Sequence, residues 1–359
     1  MNFLIFVCVL SVLVLVHEWG HFIAAKSLGV KVQKFSMGFG PKLFSRMYRG
    51  TEFMVCAIPL GGFVKMAGDE RSECKGKRDE FYAHPVGHRA IIVLMGPIVN
   101  FVFALLCFFV TFMIGYPNLA AKVGKLMENY PAYSAGLQVG DRILQIDSKK
   151  IENWEDLQQY VTTSRGQALH FIVLRNNQEI IKEIVPQERK IKNIFGKEET
   201  IRIIGIQPFE EVVFIKYPPL EAFTKSVQQL IAITALTFKA LYHVIIGAMP
   251  AKEAFGGPIR IFDVVKDAAA LGISYLIYIM AIISTNLAIF NLFPIPVLDG
   301  GHLLLQGMER LRGRPLPLKI EDGLTKTGLA LLLTLMVFVF YNDMDQAGWF
   351  QHIRGLLHK

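Results

Sequence analysis

VLVLVHEWGHFIAAK, residues 12–26, places two histidines and a glutamate inside an apolar run. The run reaches back to Phe3, so Phe3 to Ala25 has the roughly 20 residues a helix needs to cross a bilayer. On an α-helix, residues four apart share a face about 6 Å apart along the axis. His17 and His21 can therefore aim both imidazoles at one metal ion, with Glu18 beside them. This is HExxH, in which the histidines bind zinc and the glutamate is general base toward a water on the metal. By composition, a chance match in a chain this long is an event on the order of one per cent. Ionisable groups at membrane depth are costly, which favours function over two histidines merely satisfied by neighbouring helices and Glu18.

Composition agrees with a membrane setting. The chain has 359 residues, of which 52% are hydrophobic and 19% charged, and its mean hydropathy is +0.39. A net charge of +8 raises nucleic acid as a partner. The basic residues are scattered between apolar segments, however, with no basic helix or aromatic-basic alternation, so no nucleic acid is expected and the excess reads as membrane topology.

Three further spans are predicted: Ile91 to Ile114, Leu271 to Phe293 and the shorter Leu324 to Tyr341. The first run opens Met-Asn without a positive n-region or a small-residue cleavage site, so it is expected to stay attached as a span. Leu230 to Phe238 is apolar but flanked by Lys225, Gln228, Gln229 and Lys239, which suits a helix lying in the interface with membrane lipid. Basic residues outnumber acidic ones about two to one between Lys26 and Arg89, and Arg310, Arg312, Arg314, Lys319 and Lys326 lie between the third and fourth spans. Both loops are therefore expected on the cytoplasmic side, with both termini and the segment from Tyr116 to about Ala270 opposite. The four cysteines offer no CxxC pair, and Cys8 and Cys107 fall within spans, which argues against a disulfide framework or a cysteine zinc site.

The outward segment carries a small α/β domain. Short strands (KVGKLM, RILQID, LHFIVLR, EIIKEIV) surround one helix, WEDLQQYV, which Asn153 can cap and whose Trp154, Leu157 and Val161 form an apolar face. SAGLQVGDRILQID supplies tight reversals at Gly136, Gly140 and Asp141. It resembles a PDZ domain at Ala135, Gly136, Leu137, Gly140, Asp141, Ile143 and Ile146. Such a domain can take a peptide as an added strand, or simply obstruct access to the membrane part. The expected division is 1–115, membrane domain; 116–187, PDZ domain; 188–270, strand extension and interfacial helix; and 271–359, second membrane part. TIRIIGI reads as a strand attached to the PDZ domain, and Asn342 to Lys359 as an exposed interfacial helix. GGPIRIFDVV, residues 256–265, has no legible chemistry.

A catalytic zinc usually takes three protein ligands and keeps a fourth position for water. The strongest third candidate is Asp299 in NLFPIPVLDGGH, residues 291–302, because it stands at the cytoplasmic end of the third span, where the topology also places His17 and His21. Pro294 and Pro296 break that helix, and backbone freed at membrane depth must be buried in protein or line a wet cavity. Asp299 as a plain turn cap before Gly300 is the duller reading. His302, His84, His88 and His243 are left out of the ligand set.

HExxH in the first span, GPIVN (Gly96, Pro97, Asn100) in the second and NLFPIPVLDG after the third together resemble the site-2 protease family of intramembrane zinc metalloproteases. FSMGFGPKLF and IPLGGFVKMAGDE point to its bacterial regulator-of-sigma-E branch. The resemblance covers nearly the whole chain; one departure is a single legible PDZ domain where that branch has two in tandem. It implies a polytopic α-helical protein of the bacterial cytoplasmic membrane, with the PDZ domain on the outward side. It also implies a re-entrant β-hairpin sheet from FSMGFGPKLF and EFMVCAIPLGGFVKM. The substrates implied are single-pass membrane proteins, such as an anti-sigma factor already trimmed outside, or leftover signal peptides. Hydrolysis is expected to be metal-assisted, with Glu18 as base and His17, His21 and Asp299 on zinc. Asn100 and Asn291, with the unwound backbone at Pro294 and Pro296, are expected to meet the substrate, or the two amides to bind helices together. Two rival classes are a non-catalytic PDZ scaffold with a vestigial zinc site and a metal transporter. Neither needs a base beside its ligands.

Overall fold

The computed structural model describes residues 1–192, 198–250, 252, 256–346 and 348, with the backbone alone at Leu60 and Lys192. The chain forms two compact units: residues 1–110, 223–239 and 250–359, and residues 111–222 and 240–249.

Among the described residues, four helices in the first unit are long and apolar enough to cross a membrane. They are α1 (Asn2–Ser27) and α2 (Val86–Ile114), and further on Ile273–Asn291 and Leu318–Gln346. Each matches an expected span: the first, second and fourth contain it and extend beyond, and the third, Ile273–Asn291, falls two residues short at each end of the expected Leu271 to Phe293. The chain is a membrane protein on this count and on its family, given below. α1 stops before Gly29, whose φ of +84° ends the helix.

After α1 the chain makes a long hairpin, β1 (Val32–Tyr48) and β2 (Thr51–Met66). Its two-residue turn, Arg49-Gly50, has φ of +46° and +77°, both positive as a type I′ turn demands. The register shows more than a simple ladder. Phe35 pairs with both Val64 and Phe53, and Ser36 with both Phe63 and Met54, while Phe44 to Tyr48 pair back onto Val55 to Thr51. The hairpin is thus folded on itself into four short segments, in the order 62–66, 32–37, 51–56 and 42–48. Gly38 and Gly61, with φ of +89° and +115°, sit where the strands bend. A buried cluster of Ala24, Ala25, Val30, Val32, Phe81, Ile92 and Val93 fixes the root of the hairpin against α1 and α2.

In the second unit, β3 (Tyr116–Leu119) and β4 (Val123–Leu126) precede a helical turn, α3 (Pro131–Ser134). A four-stranded sheet then holds β5 (Arg142–Ile146), β6 (Lys149–Lys150), β7 (Leu169–Arg175) and β8 (Gln178–Ile184) in the order β6-β5-β7-β8. α4 (Trp154–Thr163) starts at Asn153, whose Oδ1 accepts the Asp156 N–H at 2.9 Å. Leu157 and Val161 point into a core with Ile143, Ile146, Phe171 and Val173. Asp141 is buried and takes the Arg175 guanidinium on both oxygens at 2.7 Å, which locks the AGLQVGD turn to β7. Beyond Pro186 come the hairpin β9 (Gln187–Lys192) and β10 (Glu198–Ile203), then β11 (Ile206–Pro208) on β4 and β12 (Val212–Ile215) on β3. The strands after Pro186 therefore pair within this unit.

α5 (Pro219–Ile245) is a 27-residue helix that is not apolar enough to count as a span. Its Gln229 and Thr237 donate to Tyr278 Oη and Asn286 Oδ1, both at 2.8 Å. α6 (Pro258–Leu271), α7 (Ile273–Asn291), α8 (Asp299–Arg312) and α9 (Leu318–Gln346) complete the first unit. GGPIRIFDVV thus opens a helix of its own. Of the tail expected as an interfacial helix, residues 342–346 continue α9, and 347 and 349–359 lie outside the described residues.

Candidate metal centre

α1 and α2 approach closely because glycine faces glycine. A Cβ on Gly20 would overlap the Met95 carbonyl, and a Cβ on Gly96 would overlap His21 Nε2 and the Cε1 atoms of both imidazoles. Pro97 lies inside α2 one residue on and removes one rung of the helical ladder beside this contact.

Asp299 arrives from the other end of the chain. Residues 292–298 leave helical geometry after α7, and Asp299 is the first residue of α8, where a carboxylate is favoured by the helix N-terminus. The loop is tight enough that Cβ atoms on Gly300 and Gly301 would overlap the carbonyls of Leu292 and Ile295. Val297 has φ of +122°, a conformation in which a β-branched side chain is strained. Pro294 is exposed and Pro296 half-buried, and neither forms part of the ligand cluster.

Among the described residues, His17, His21 and Asp299 form the one His/Cys/Asp/Glu group placed to hold a metal, with one ligand atom from each within 4.8 Å of the others. His17 is buried, 8% exposed. Its Nε2 lies 3.2 Å from His21 Nε2 and 3.1 Å from Asp299 Oδ2, and His21 Nε2 lies 3.5 Å from Asp299 Oδ1. A tetrahedral zinc with bonds of about 2.0–2.1 Å holds its ligand atoms about 3.3 Å apart, so the three separations fit its edges. The donor set of two imidazoles and one carboxylate also suits zinc. Asp299 Oδ2 is buried and makes no hydrogen bond of good geometry, close as His17 is. A cation between the three groups would satisfy it.

The neighbours orient the rings. His21 Nδ1–H donates to the Ile92 carbonyl at 2.9 Å, which leaves the Nε2 lone pair facing Asp299. Asn100 is fully buried, with its Nδ2 3.3 Å from His17 Nδ1 and its own carbonyl accepting from Ser284 Oγ at 2.9 Å. Asn291 Nδ2 lies 3.5 Å and 3.4 Å from the two nitrogens of His17. Both amides named from sequence therefore converge on one imidazole. Glu18 faces β2: the Val64 backbone N–H lies near its carboxylate, and Gly62 lies against its Cγ. Sequence reasoning missed Gly20, the Ile92 carbonyl, Ser284 and this Val64 contact. Three of them act through backbone atoms or close approach, which residue type alone does not announce; for Gly20 the available signal was a small residue, Ala24, four positions on along the same helix face.

The match to known proteins follows the same extent of chain. The profile of peptidase family M50 matches residues 5–335. A protein of Agrobacterium fabrum, provisionally named a zinc metalloprotease, is 36% identical, covering 95% of this chain and 94% of its own. One of Campylobacter jejuni, provisionally named the same, is 33% identical with coverage of 96% and 94%. Metalloprotease MmpA of Caulobacter vibrioides is 31% identical with coverage of 97% and 96%. Among solved structures, the PDZ domain of the SdrC-like protein from Listeria innocua is 20% identical over 26% of this chain and 96% of that one, with a TM-score of 0.21. The profile spans HExxH, the second helix and the Asp299 loop in a single match, and the relatives align end to end at about one residue in three: this chain belongs to peptidase family M50, the site-2 proteases, and is a zinc metalloprotease.

Proposed function

We propose that the chain hydrolyses peptide bonds within transmembrane segments of single-pass membrane proteins, with zinc held by His17, His21 and Asp299 and Glu18 as the general base. The observation that carries this is the meeting of three ligand atoms at zinc-like spacing, two of them on a helix of spanning length, beside a carboxylate that is not needed to hold the ion. Zinc bound there supplies a Lewis acid for the scissile carbonyl and acidifies the attacking water. Glu18 takes the proton of that water on its carboxylate and delivers it to the leaving amine. Asn291 stands beside His17 at the end of α7, where its amide can donate to the carbonyl oxygen as charge develops. The unwound backbone around Pro294 and Pro296 would lie alongside an extended substrate.

A peptide bond inside a helix is hydrogen-bonded and shielded, so the substrate must be drawn out before it reacts. The β2 segment from Pro59 to Val64 runs beside α1: Ser11 Oγ donates to the Pro59 carbonyl at 2.6 Å, and Gly62 lies against the Cγ of Glu18. Residues 62–66 pair with β1 on one side and with no strand on the other among the described residues. A re-entrant hairpin dipping to the depth of Ser11 would add the substrate as a strand at that edge, beside the base. An apolar groove between α1 and α2, lined by Leu15, Val16, Trp19, Val99, Val102 and Phe103, provides a surface for its side chains. The second unit presents a cleft between α4 and residues 201–208, lined by Trp154, Leu157, Val161 and Ile203, that suits an extended peptide as in a PDZ domain. The excess of basic residues in the two loops supports a site that opens toward the cytoplasm of a bacterial inner membrane, with the PDZ-like unit outside. Substrates trimmed on that side, including anti-sigma factors and remnant signal peptides, fit this arrangement and make the reaction a step of regulated intramembrane proteolysis.

The test is cleavage of a single-span substrate by the purified full-length protein in detergent. Chelation should stop it, and Glu18→Gln should lower turnover by about 10²- to 10⁴-fold while zinc stays bound. Cleavage by Glu18→Gln at the wild-type rate would remove Glu18 from the role of base.

A further inference from the structure

We infer that Asn100 is a positioning residue for the metal: its amide oxygen holds His17 in the tautomer whose Nε2 can bind zinc. The inference rests on the zinc site proposed above. His17 turns Nε2 toward His21 and Asp299, so a metal there takes the Nε2 lone pair and leaves the proton on Nδ1. That Nδ1–H needs an acceptor inside a buried site. Nδ1 faces the Asn100 amide at 3.3 Å, and Asn100 is fully buried. As placed, Asn100 directs Nδ2, a donor, at Nδ1, while its Oδ1 is buried with no partner. Two donors cannot share one contact. Half a turn about the Cβ–Cγ bond exchanges the two ends of the amide, gives Nδ1–H its acceptor and gives Oδ1 its missing partner.

The pairing then mirrors that of the other ligand. His21 donates Nδ1–H to the Ile92 carbonyl, and both acceptors come from α2, eight residues apart on that helix. Ser284 anchors the Asn100 backbone carbonyl from α7, which fixes where the amide begins. Metal-binding histidines generally donate the second ring N–H to such an acceptor, and its loss typically weakens metal binding by about 10- to 100-fold. Asn291 is the competing amide, but it stands 3.5 Å from Nδ1 and 3.4 Å from Nε2 and so straddles the ring instead of facing Nδ1 alone. On this reading Asn100 acts through His17 and not by touching the substrate.

The experiment is zinc affinity of the full-length protein in detergent, read by competition with a chromogenic chelator, with thermal unfolding followed in parallel. Asn100→Leu, close in size and without an acceptor, should weaken zinc binding about 10- to 100-fold. Asn100→Asp, which keeps an acceptor at the same place, should hold it within a few-fold of wild type. A purely structural amide would show no such rescue. Asn100→Ala gives the same reading should the leucine variant not fold. Wild-type affinity in Asn100→Leu or Asn100→Ala, or equal loss in Asn100→Asp, overturns the inference. His17→Ala separates the two layers: if it binds zinc like wild type, the metal site itself is misassigned, whatever Asn100 does.

Discussion

Gly96 and His21 are in contact so close that a single methyl group on Gly96 would occupy the space of the His21 ring. The imidazoles of α1 reach Asp299 because α2 presents hydrogen, and no side chain, at that point. Gly96→Ala should therefore push the ligand atoms off their spacing. Overpacking of this kind costs about 1–3 kcal/mol. We expect zinc affinity to fall at least tenfold and cleavage with it, measured by chelator competition and by substrate turnover. An alanine variant that binds zinc normally would show that the helices can part without cost to the site.

Asp343 gives GGPIRIFDVV a physical role. Near the end of α9, its Oδ1 accepts the Gly257 N–H at 2.9 Å and its Oδ2 accepts the N–H groups of Ile259 and Arg260 at 3.0 and 3.3 Å. A carboxylate from a distant helix thus caps α6, at a glycine where a Cβ would overlap that carboxylate. Asp343→Ala should lower stability by about 1–2 kcal/mol, as loss of a cap does, and Asp343→Asn should recover part of it. Thermal unfolding of the full chain in detergent reads the difference.

The second unit should lose stability in acid through Asp147. The backbone N–H of His170 holds its carboxyl below the usual carboxylate range, helped by the Tyr160 hydroxyl and the His170 ring. A carboxyl depressed in the folded state stabilises above its unfolded pKa, about 3.9 for Asp. That contribution fades as pH falls through the lower folded value. Asp147→Asn should therefore melt below wild type at neutral pH, with the gap closing below about pH 4. A gap independent of pH would mean that the charge is not what stabilises.

If the substrate is received as a strand, its helix must first unwind. Exchanging a glycine near the scissile bond of a single-span substrate for alanine stabilises that helix by about 1 kcal/mol and should slow cleavage about fivefold. Comparing turnover of the two substrates checks this; equal rates would contradict unwinding at that position.

How much of this was legible depended on the range of each signal. HExxH is local, because four residues on a helix fix the face, and so are the long apolar runs and the Asn153 cap. Asp299 was legible only by joining two deductions, its position after a span and the side of the membrane, since its partners lie 282 and 278 residues away in sequence. What the sequence did not disclose is close approach and backbone chemistry. Nothing in Ile92 or Val64 as residue types announces a carbonyl for His21 or an N–H for Glu18. The folding of β1 and β2 into four segments depends on bends at Gly38 and Gly61, which alternation alone does not reveal. GGPIRIFDVV stayed mute because its partner, Asp343, comes more than 80 residues later.

The most direct test of the zinc assignment is the metal content of purified full-length protein after dialysis against a weak chelator. Wild type and Glu18→Gln should each retain one zinc per chain, while His17→Ala and Asp299→Ala should retain essentially none. An Asp299→Ala protein that keeps its zinc at wild-type affinity would contradict the account, because the third ligand would then be some other group.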